Sequence, residues 1–126
     1  MPLLQLSFGR MCPSELPSRL AILLGEALEI PPDRVMVVAN EALVHLEESR
    51  SPAVLADLCF ARELEPERKR RLVSDLVAEL ASALSTQPER IYVRIMNPDP
   101  TSLWRIDQGQ ALHAEEKSTG SKQEPS

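Results

Sequence analysis

The sequence predicts an α+β domain: a two-layer α/β sandwich built from a duplicated β-α-β unit, with a four-stranded mixed sheet and two helices on one face. Three observations lead there. Two amphipathic segments, Leu16 to Leu28 and Glu65 to Leu84, each lie between short runs of strand character. The stretch Pro32-Asp33-Arg34-Val35-Met36-Val37 is echoed by Pro88-Glu89-Arg90-Ile91-Tyr92-Val93, each copy following a helix and opening a strand. The 126 residues are 43% hydrophobic but only 3% aromatic, so they can build one modest core, and that core must be aliphatic.

The elements follow in order. Leu4, Leu6 and Phe8 alternate with Gln5 and Ser7, the period of a half-buried strand over Leu3 to Phe8. Gly9 to Pro13 breaks the pattern. Ser14 is the expected helix cap, and Pro17 suits the first turn. Leu16, Leu20, Leu23, Leu24 and Leu28 then recur at helical spacing, and Pro31 and Pro32 stop the helix. Val35 to Ala39 is rich in β-formers and predicts a second strand. Asn40 to Ser51 is expected to loop, with a helical turn around Ala42 to Glu47. Ala53 to Leu64 alternates and predicts a third strand. In Glu65 to Leu84, Leu72, Leu76, Val77, Leu80 and Leu84 form one stripe, and acidic Glu65 and Glu67 open the helix as its dipole prefers. Ile91 to Met96 predicts a fourth strand. From His113 onward no large apolar residue appears, so ordering that segment has nothing to offset its entropy. The expected organisation is one domain over 1–112 and a disordered tail over 113–126. With both helices on one side of the sheet, the other side stays bare, and its apolar content predicts an oligomer.

Composition narrows the function classes. A net charge of -5 argues against nucleic acid, whose phosphates need a basic face. The chain has no run of about 18 apolar residues, so no membrane-spanning helix is expected. The N-terminus lacks a basic region followed by an apolar stretch, so a secretory signal is not expected, and a cytoplasmic location is. Cys12 and Cys59 stand far apart without a CxxC or zinc spacing. They read as two buried thiols of a reducing compartment. Neither His45 nor His113 has a second ligand at metal spacing. No metal and no cofactor are therefore expected. The basic run Arg68 to Arg71 reads as a solvated helix face. Trp104 is expected to pack against the sheet or a neighbour.

Pro2 is the first candidate for chemistry, beside the plainer reading that many chains begin Met-Pro with no consequence. Methionine is trimmed ahead of a small second residue, and trimming Met1 would expose a secondary amine at the head of an apolar strand. An ordinary α-amino group titrates at about 7.7–8.0. Burial disfavours its charged form and lowers that value, leaving a neutral amine usable as a general base near neutral pH.

The start Met-Pro-Leu-Leu-Gln-Leu, the duplicated β-α-β pattern and Pro88-Glu89-Arg90-Ile91-Tyr92-Val93-Arg94-Ile95 together resemble the tautomerase superfamily. Within it, the length and the Trp104 region are similar to macrophage migration inhibitory factor and D-dopachrome tautomerase. The resemblance covers residues 2 to 110. It implies β-α-β-β-α-β subunits that assemble as a homotrimer with sites between neighbours. It also implies an N-terminal proline that moves protons in α-keto acids such as phenylpyruvate. Carried over residue by residue, Pro2 matches the catalytic proline. Tyr92 matches a tyrosine that reaches the neighbouring subunit's site. Arg94 falls on the same strand face, where members carry asparagine or arginine. The backbone amide near Ala61 matches a segment lining the pocket. Many members carry a lysine where this chain has Ile30, and Phe60-Ala61-Arg62 replaces the usual Ser-Ile-Gly. With that lysine absent, Arg62 or Arg94 is the candidate cation for a substrate carboxylate, an arginine fork being suited to it.

The resemblance thus implies a cofactor-independent keto-enol tautomerase of phenylpyruvate-type α-keto acids, with Pro2 as general base. The alternative is a catalytically weak or inactive member acting as a binding or cytokine-like protein. A third possibility is a hetero-oligomer subunit. The sequence names no receptor.

Overall fold

The computed structural model describes residues 2–9, 11–42, 44, 53–98 and 104–113. The elements are β1 (Leu3–Phe8), α1 (Leu16–Leu28), β2 (Met36–Glu41), β3 (Val54–Cys59), α2 (Pro66–Leu84), β4 (Ile91–Met96), β5 (Trp104–Asp107) and β6 (Gln110–His113). The main sheet runs β2-β1-β3-β4. β1 pairs parallel with β2, β3 pairs parallel with β4, and β1 and β3 meet antiparallel at the centre. Each parallel pair is one β-α-β unit, so the duplication and the mixed sheet are both as the sequence predicts. The echoed hexapeptides also fold alike, each making a 3-10 turn, Pro32–Arg34 or Pro88–Arg90, that leads into a strand.

The core lies between the helices and one sheet face. Leu16, Leu20, Leu24 and Leu28 of α1 and Leu72, Leu76, Leu80 and Leu84 of α2 are buried at a spacing of four, so each helix presents one leucine stripe. They meet Leu4, Leu6, Phe8, Val54, Ala56 and Leu58, the alternate residues of β1 and β3. Both helices end in the same way. A residue in the left-handed conformation, Glu29 (φ 60°) or Ser85 (φ 51°), turns the chain. The N–H of the next residue, Ile30 or Thr86, then donates to the carbonyl of Gly25 (2.9 Å) or Ala81 (3.1 Å).

Several boundaries differ from the sequence reading for identifiable reasons. Ser14 is not the cap of α1: the N-cap is Glu15, no side chain caps the helix, and Ser14 Oγ donates to Glu15 Oε2. β2 starts after Val35 because the Val35 N–H is used by Pro32 within the 3-10 turn. It runs on through Asn40 and Glu41, which pair with Ser7 and Phe8. β3 stops at Cys59, because Ala61 and Arg62 form a bend. Most of the segment expected to carry a helical turn, Ala42 to Glu47, lies outside the described residues, as do 114–126. The β5–β6 hairpin is an addition. Its turn residues Gln108 (φ 53°) and Gly109 (φ 77°) both take positive φ, as a two-residue hairpin turn requires.

The sheet face turned away from the helices carries three cross-strand rows. Met36, Leu3, Cys59 and Met96 form one, Val38, Gln5, Asp57 and Arg94 the next, and Asn40, Ser7, Leu55 and Tyr92 the third. Met36, Leu55, Tyr92 and Met96 are exposed on it.

Candidate active site

One end of the sandwich gathers most of the candidate residues, and the topology explains why. β1 and β2 begin there, β3 and β4 finish there, α1 ends there and α2 starts there. Pro2 stands at the head of β1, an internal strand, and is buried. Its carbonyl accepts the N–H of Met36 at 3.0 Å. One step beyond the last β1–β3 pair, Leu3 with Cys59, the register sets Pro2 opposite Phe60. Phe60 is only 3% exposed and donates its N–H to the Met96 carbonyl at 3.0 Å. Pro2 is in phase with Leu4 and Leu6, on the helix side of the sheet.

The bend Phe60-Ala61-Arg62 closes this end and is held from two directions. From β4, the Asn97 side-chain amide donates to the Phe60 carbonyl at 2.7 Å and to the Arg62 carbonyl at 3.2 Å. From α1, the Arg62 guanidinium donates to the Leu28 carbonyl at 2.6 Å and to Glu29 Oε1 at 2.8 Å. Arg68, in the first turn of α2, donates to the Ala27 carbonyl at 3.0 Å and stands 3.9 Å from the same Glu29 oxygen. Two arginines thus satisfy carbonyls at the C-terminus of α1, where positive charge is favoured. Ile30 follows Glu29, is half-buried and packs against the core, so it adds an apolar wall and no charge.

The hydrogen bond from Arg62, and then the positive charge of Arg68 and Arg62, hold the Glu29 carboxyl below the usual carboxylate range. With its folded value lowered, this carboxylate contributes stability above the ordinary carboxylate pKa, and the contribution is lost as pH falls through the lowered value. The pair is exposed, so the effect on overall stability is expected to be small. A carboxyl-detected NMR titration should find Glu29 titrating below the ordinary range and moving up in Arg62→Ala. An unmoved Glu29 in that variant would show that Arg62 does not engage it in solution.

Tyr92 and Arg94 lie elsewhere in the single chain. They sit on the sheet face away from the helices. Tyr92 pairs with Leu55, five residues along β4 from Asn97 and so about 16 Å up the strand. Arg94 makes a two-pronged ion pair with Asp57, Nε to Oδ1 at 2.7 Å and Nη2 to Oδ2 at 3.1 Å. That hydrogen bonding, followed by the Asp57 charge, raises the Arg94 pKa further. The structure therefore brings Pro2, Ile30, Ala61 and Arg62 to one end and leaves Tyr92 and Arg94 on the other sheet face. Glu29 and Asn97 were not singled out by the sequence, and Arg68, expected on a solvated helix face, instead turns to the Ala27 carbonyl at the end of α1. Asn97 precedes Pro98 at a strand end, a turn signal that marks a position without revealing what the amide holds.

A cleft of about 310 Å³ lies between α1 and α2; it shares Ala27 and Arg68 with the network around Glu29 and is also lined by Leu23, Glu26, Arg71, Leu72 and Asp75. Its charged lining is of both signs. Cys12 and Cys59 are free and half-buried. Burial, then the charges of Glu15 and Glu41, push the Cys12 thiol up, which disfavours its thiolate form. Trp104 is exposed on β5. His45 lies outside the described residues. Among the described residues, no group of three or more His, Cys, Asp or Glu could hold a metal ion, and no helix is long and apolar enough to cross a membrane.

The fold is a two-layer β-α-β-β-α-β sandwich with a proline buried at the head of an internal strand. It is the fold of the macrophage migration inhibitory factors. The chain superposes on macrophage migration inhibitory factor from Trichinella spiralis with a TM-score of 0.75 and 23% identity, covering 87% of this chain and 99% of that one. The protein from Oncomelania hupensis gives 0.75 and 23%, over 90% and 83%. A homologue from Prochlorococcus marinus gives 0.76 and 15%, over 86% and 97%. No protein-family model matches the chain, and no curated protein does. The likeness to the macrophage migration inhibitory factors is thus one of fold.

Proposed function

We propose that the mature chain begins at Pro2 and is a cofactor-independent keto-enol tautomerase of phenylpyruvate-type α-keto acids. The observation that carries this reading is the burial of Pro2 at the head of the internal strand β1. Removal of Met1 places a secondary amine there. Desolvation favours its neutral form, which takes a proton from the carbon or oxygen of the substrate and returns it to the other. Hydrogen-bond donors at the site would stabilise the enolate oxygen as charge develops on it. The backbone N–H of Ala61 is the nearest candidate in sequence register, and Ile30 contributes an apolar wall. Phenylpyruvate ketonisation by wild-type and Pro2→Gly protein tests the reading.

The same reading includes a homotrimer, in which Tyr92 serves a neighbour's site rather than its own. The support is the 53% exposure of Tyr92, together with Met36 and Met96, on a sheet face that the chain's own helices leave bare. Sedimentation should show a trimer at micromolar concentration, and removing residues 113–126 should leave it intact. A stable monomer would refute the assembly.

A second reading has one observation in its favour. Arg62 and Arg94 are both committed to carboxylates of the chain itself, so the resting protein holds its two candidate cations in ion pairs. A binding protein with weak or no catalysis would tolerate that. A cytoplasmic location remains part of the proposed assignment, to be checked by fractionation.

A further inference from the structure

We propose that the position of Glu29 Oε1 is a carboxylate-binding site which the chain fills with its own side chain, and that a substrate carboxylate displaces Glu29 to bind Arg62 and Arg68. This rests on the reading of Pro2 as the base and names what anchors the acid beside it.

The geometry is that of an anion site with an occupant. Two guanidiniums from different elements converge on one oxygen, Arg62 Nη2 at 2.8 Å and Arg68 Nη2 at 3.9 Å. Neither arginine depends on Glu29 for its placement. Arg62 Nη1 is fixed on the Leu28 carbonyl at 2.6 Å, and Arg68 on the Ala27 carbonyl at 3.0 Å. If Glu29 swings away, both forks stay where they are, already oriented. Such preorganisation reduces the ordering cost of binding. Glu29 itself is the loosely held member: its side chain is 64% exposed, and rotation about its own bonds takes it into water. Exposed ion pairs of this kind are weak, so exchanging one carboxylate for another is energetically close to neutral. The incoming acid then adds whatever apolar contact its remaining atoms make.

The site is placed for Pro2. Arg62 is two residues beyond Phe60, which stands opposite Pro2 in the register. The backbone of the bend between them is pinned by Asn97, and the Arg62 guanidinium is held in place at its far end by the Leu28 carbonyl. The guanidinium and the proline ring are on the same, helix-facing side of the sheet. Arg94 fails on both counts, since it lies on the other face and is locked to Asp57 through two hydrogen bonds.

The consequence is an opposed pair of effects. Removing the anchor weakens carboxylate binding, and removing the internal competitor strengthens it. Binding of 3-phenylpropionate, which has the carboxylate but no enolisable ketone, should be measured by calorimetry or NMR titration for wild type, Glu29→Gln, Arg62→Ala and Arg62→Lys. The neutral ketone 4-phenyl-2-butanone serves as the control. Glu29→Gln should tighten 3-phenylpropionate binding about threefold or more. Arg62→Ala should weaken it roughly tenfold or more, the range for a lost charge-assisted hydrogen bond. Arg62→Lys should fall between, because the point charge survives without the fork. None of the variants should change binding of the neutral ketone. Damage to the α1 terminus alone would weaken binding in all variants and for both ligands, and that pattern overturns the proposal. So does a Glu29→Gln variant whose carboxylate affinity is unchanged, or a wild type that does not bind 3-phenylpropionate. Because 3-phenylpropionate does not react, the outcome is independent of the base. Opposed binding effects in a protein that never turns over phenylpyruvate would uphold the anchor and refute Pro2. Turnover that needs Pro2 but ignores residues 29 and 62 would do the reverse.

Discussion

Pro2→Gly is expected to lower kcat/KM for phenylpyruvate by about 100-fold or more, since a positioned general base contributes roughly 10²- to 10⁴-fold. The loss should fall mainly on kcat, because the amine acts in the transition state while the carboxylate is held elsewhere. Glycine retains a primary amine but not the ring that fills the buried head of β1. A complementary change keeps the ring and removes the base: inserting one alanine between Met1 and Pro2 turns the proline nitrogen into an amide, and turnover should vanish. Intact mass must accompany both measurements. Wild type should lack Met1, because a retained methionine acylates the same nitrogen. Full activity in the insertion variant would eliminate Pro2 as the base.

Gly25→Ala is expected to destabilise the protein, even though alanine is the better helix former. Gly25 is buried near the end of α1, and a Cβ there would lie 2.8 Å from the Ile30 carbonyl oxygen and 3.3 Å from Pro32 Cα and N. All of these are backbone atoms, in a segment stiffened by Pro31 and Pro32 and tied back by the Ile30 N–H to Gly25 itself. Overpacking of this kind costs about 1–3 kcal/mol, whereas the helix-propensity gain is about 1 kcal/mol. Strain that cannot be relieved by rotating a side chain should win, giving a net loss of up to about 2 kcal/mol. The melting temperature should fall by up to about 16 °C, at 4–8 °C per kcal/mol for a domain near this size. A variant as stable as wild type would show that the loop yields at little cost.

The fold was legible because it is written in repeated local signals. Leu16, Leu20, Leu24 and Leu28 fix a helix face, Leu4, Leu6 and Phe8 fix a strand face, and the echo around Pro32 and Pro88 ties the two halves together. The β5–β6 hairpin was not legible. Its strands are four residues each, and its turn is Gln108-Gly109, in which glutamine takes a left-handed conformation that its type seldom adopts. At the candidate site, Pro2 is visible because the chemistry proposed for it depends on chain position. The network around it is not. Arg62 lies 33 residues from Glu29, and Asn97 lies 37 from Phe60, separations that only the β1–β3 and β3–β4 pairings bring together. An arginine three residues past a strand looks the same in sequence whether it faces water or caps a distant helix. Arg94 illustrates the same point, since its partner Asp57 is defined by strand register alone.

The central claim is that the Pro2 amine is the catalytic base, and its protonation state tests this most directly. The measurement is the titration of ¹⁵N-labelled Pro2 in the mature protein, set beside the pH dependence of kcat/KM for phenylpyruvate. The account predicts that Pro2 titrates below the ordinary α-amino range of about 7.7–8.0, because burial disfavours its charge. It also predicts that the acid limb of kcat/KM follows that same titration. A proline that titrates as an ordinary exposed amine, with a rate indifferent to its protonation, would contradict it.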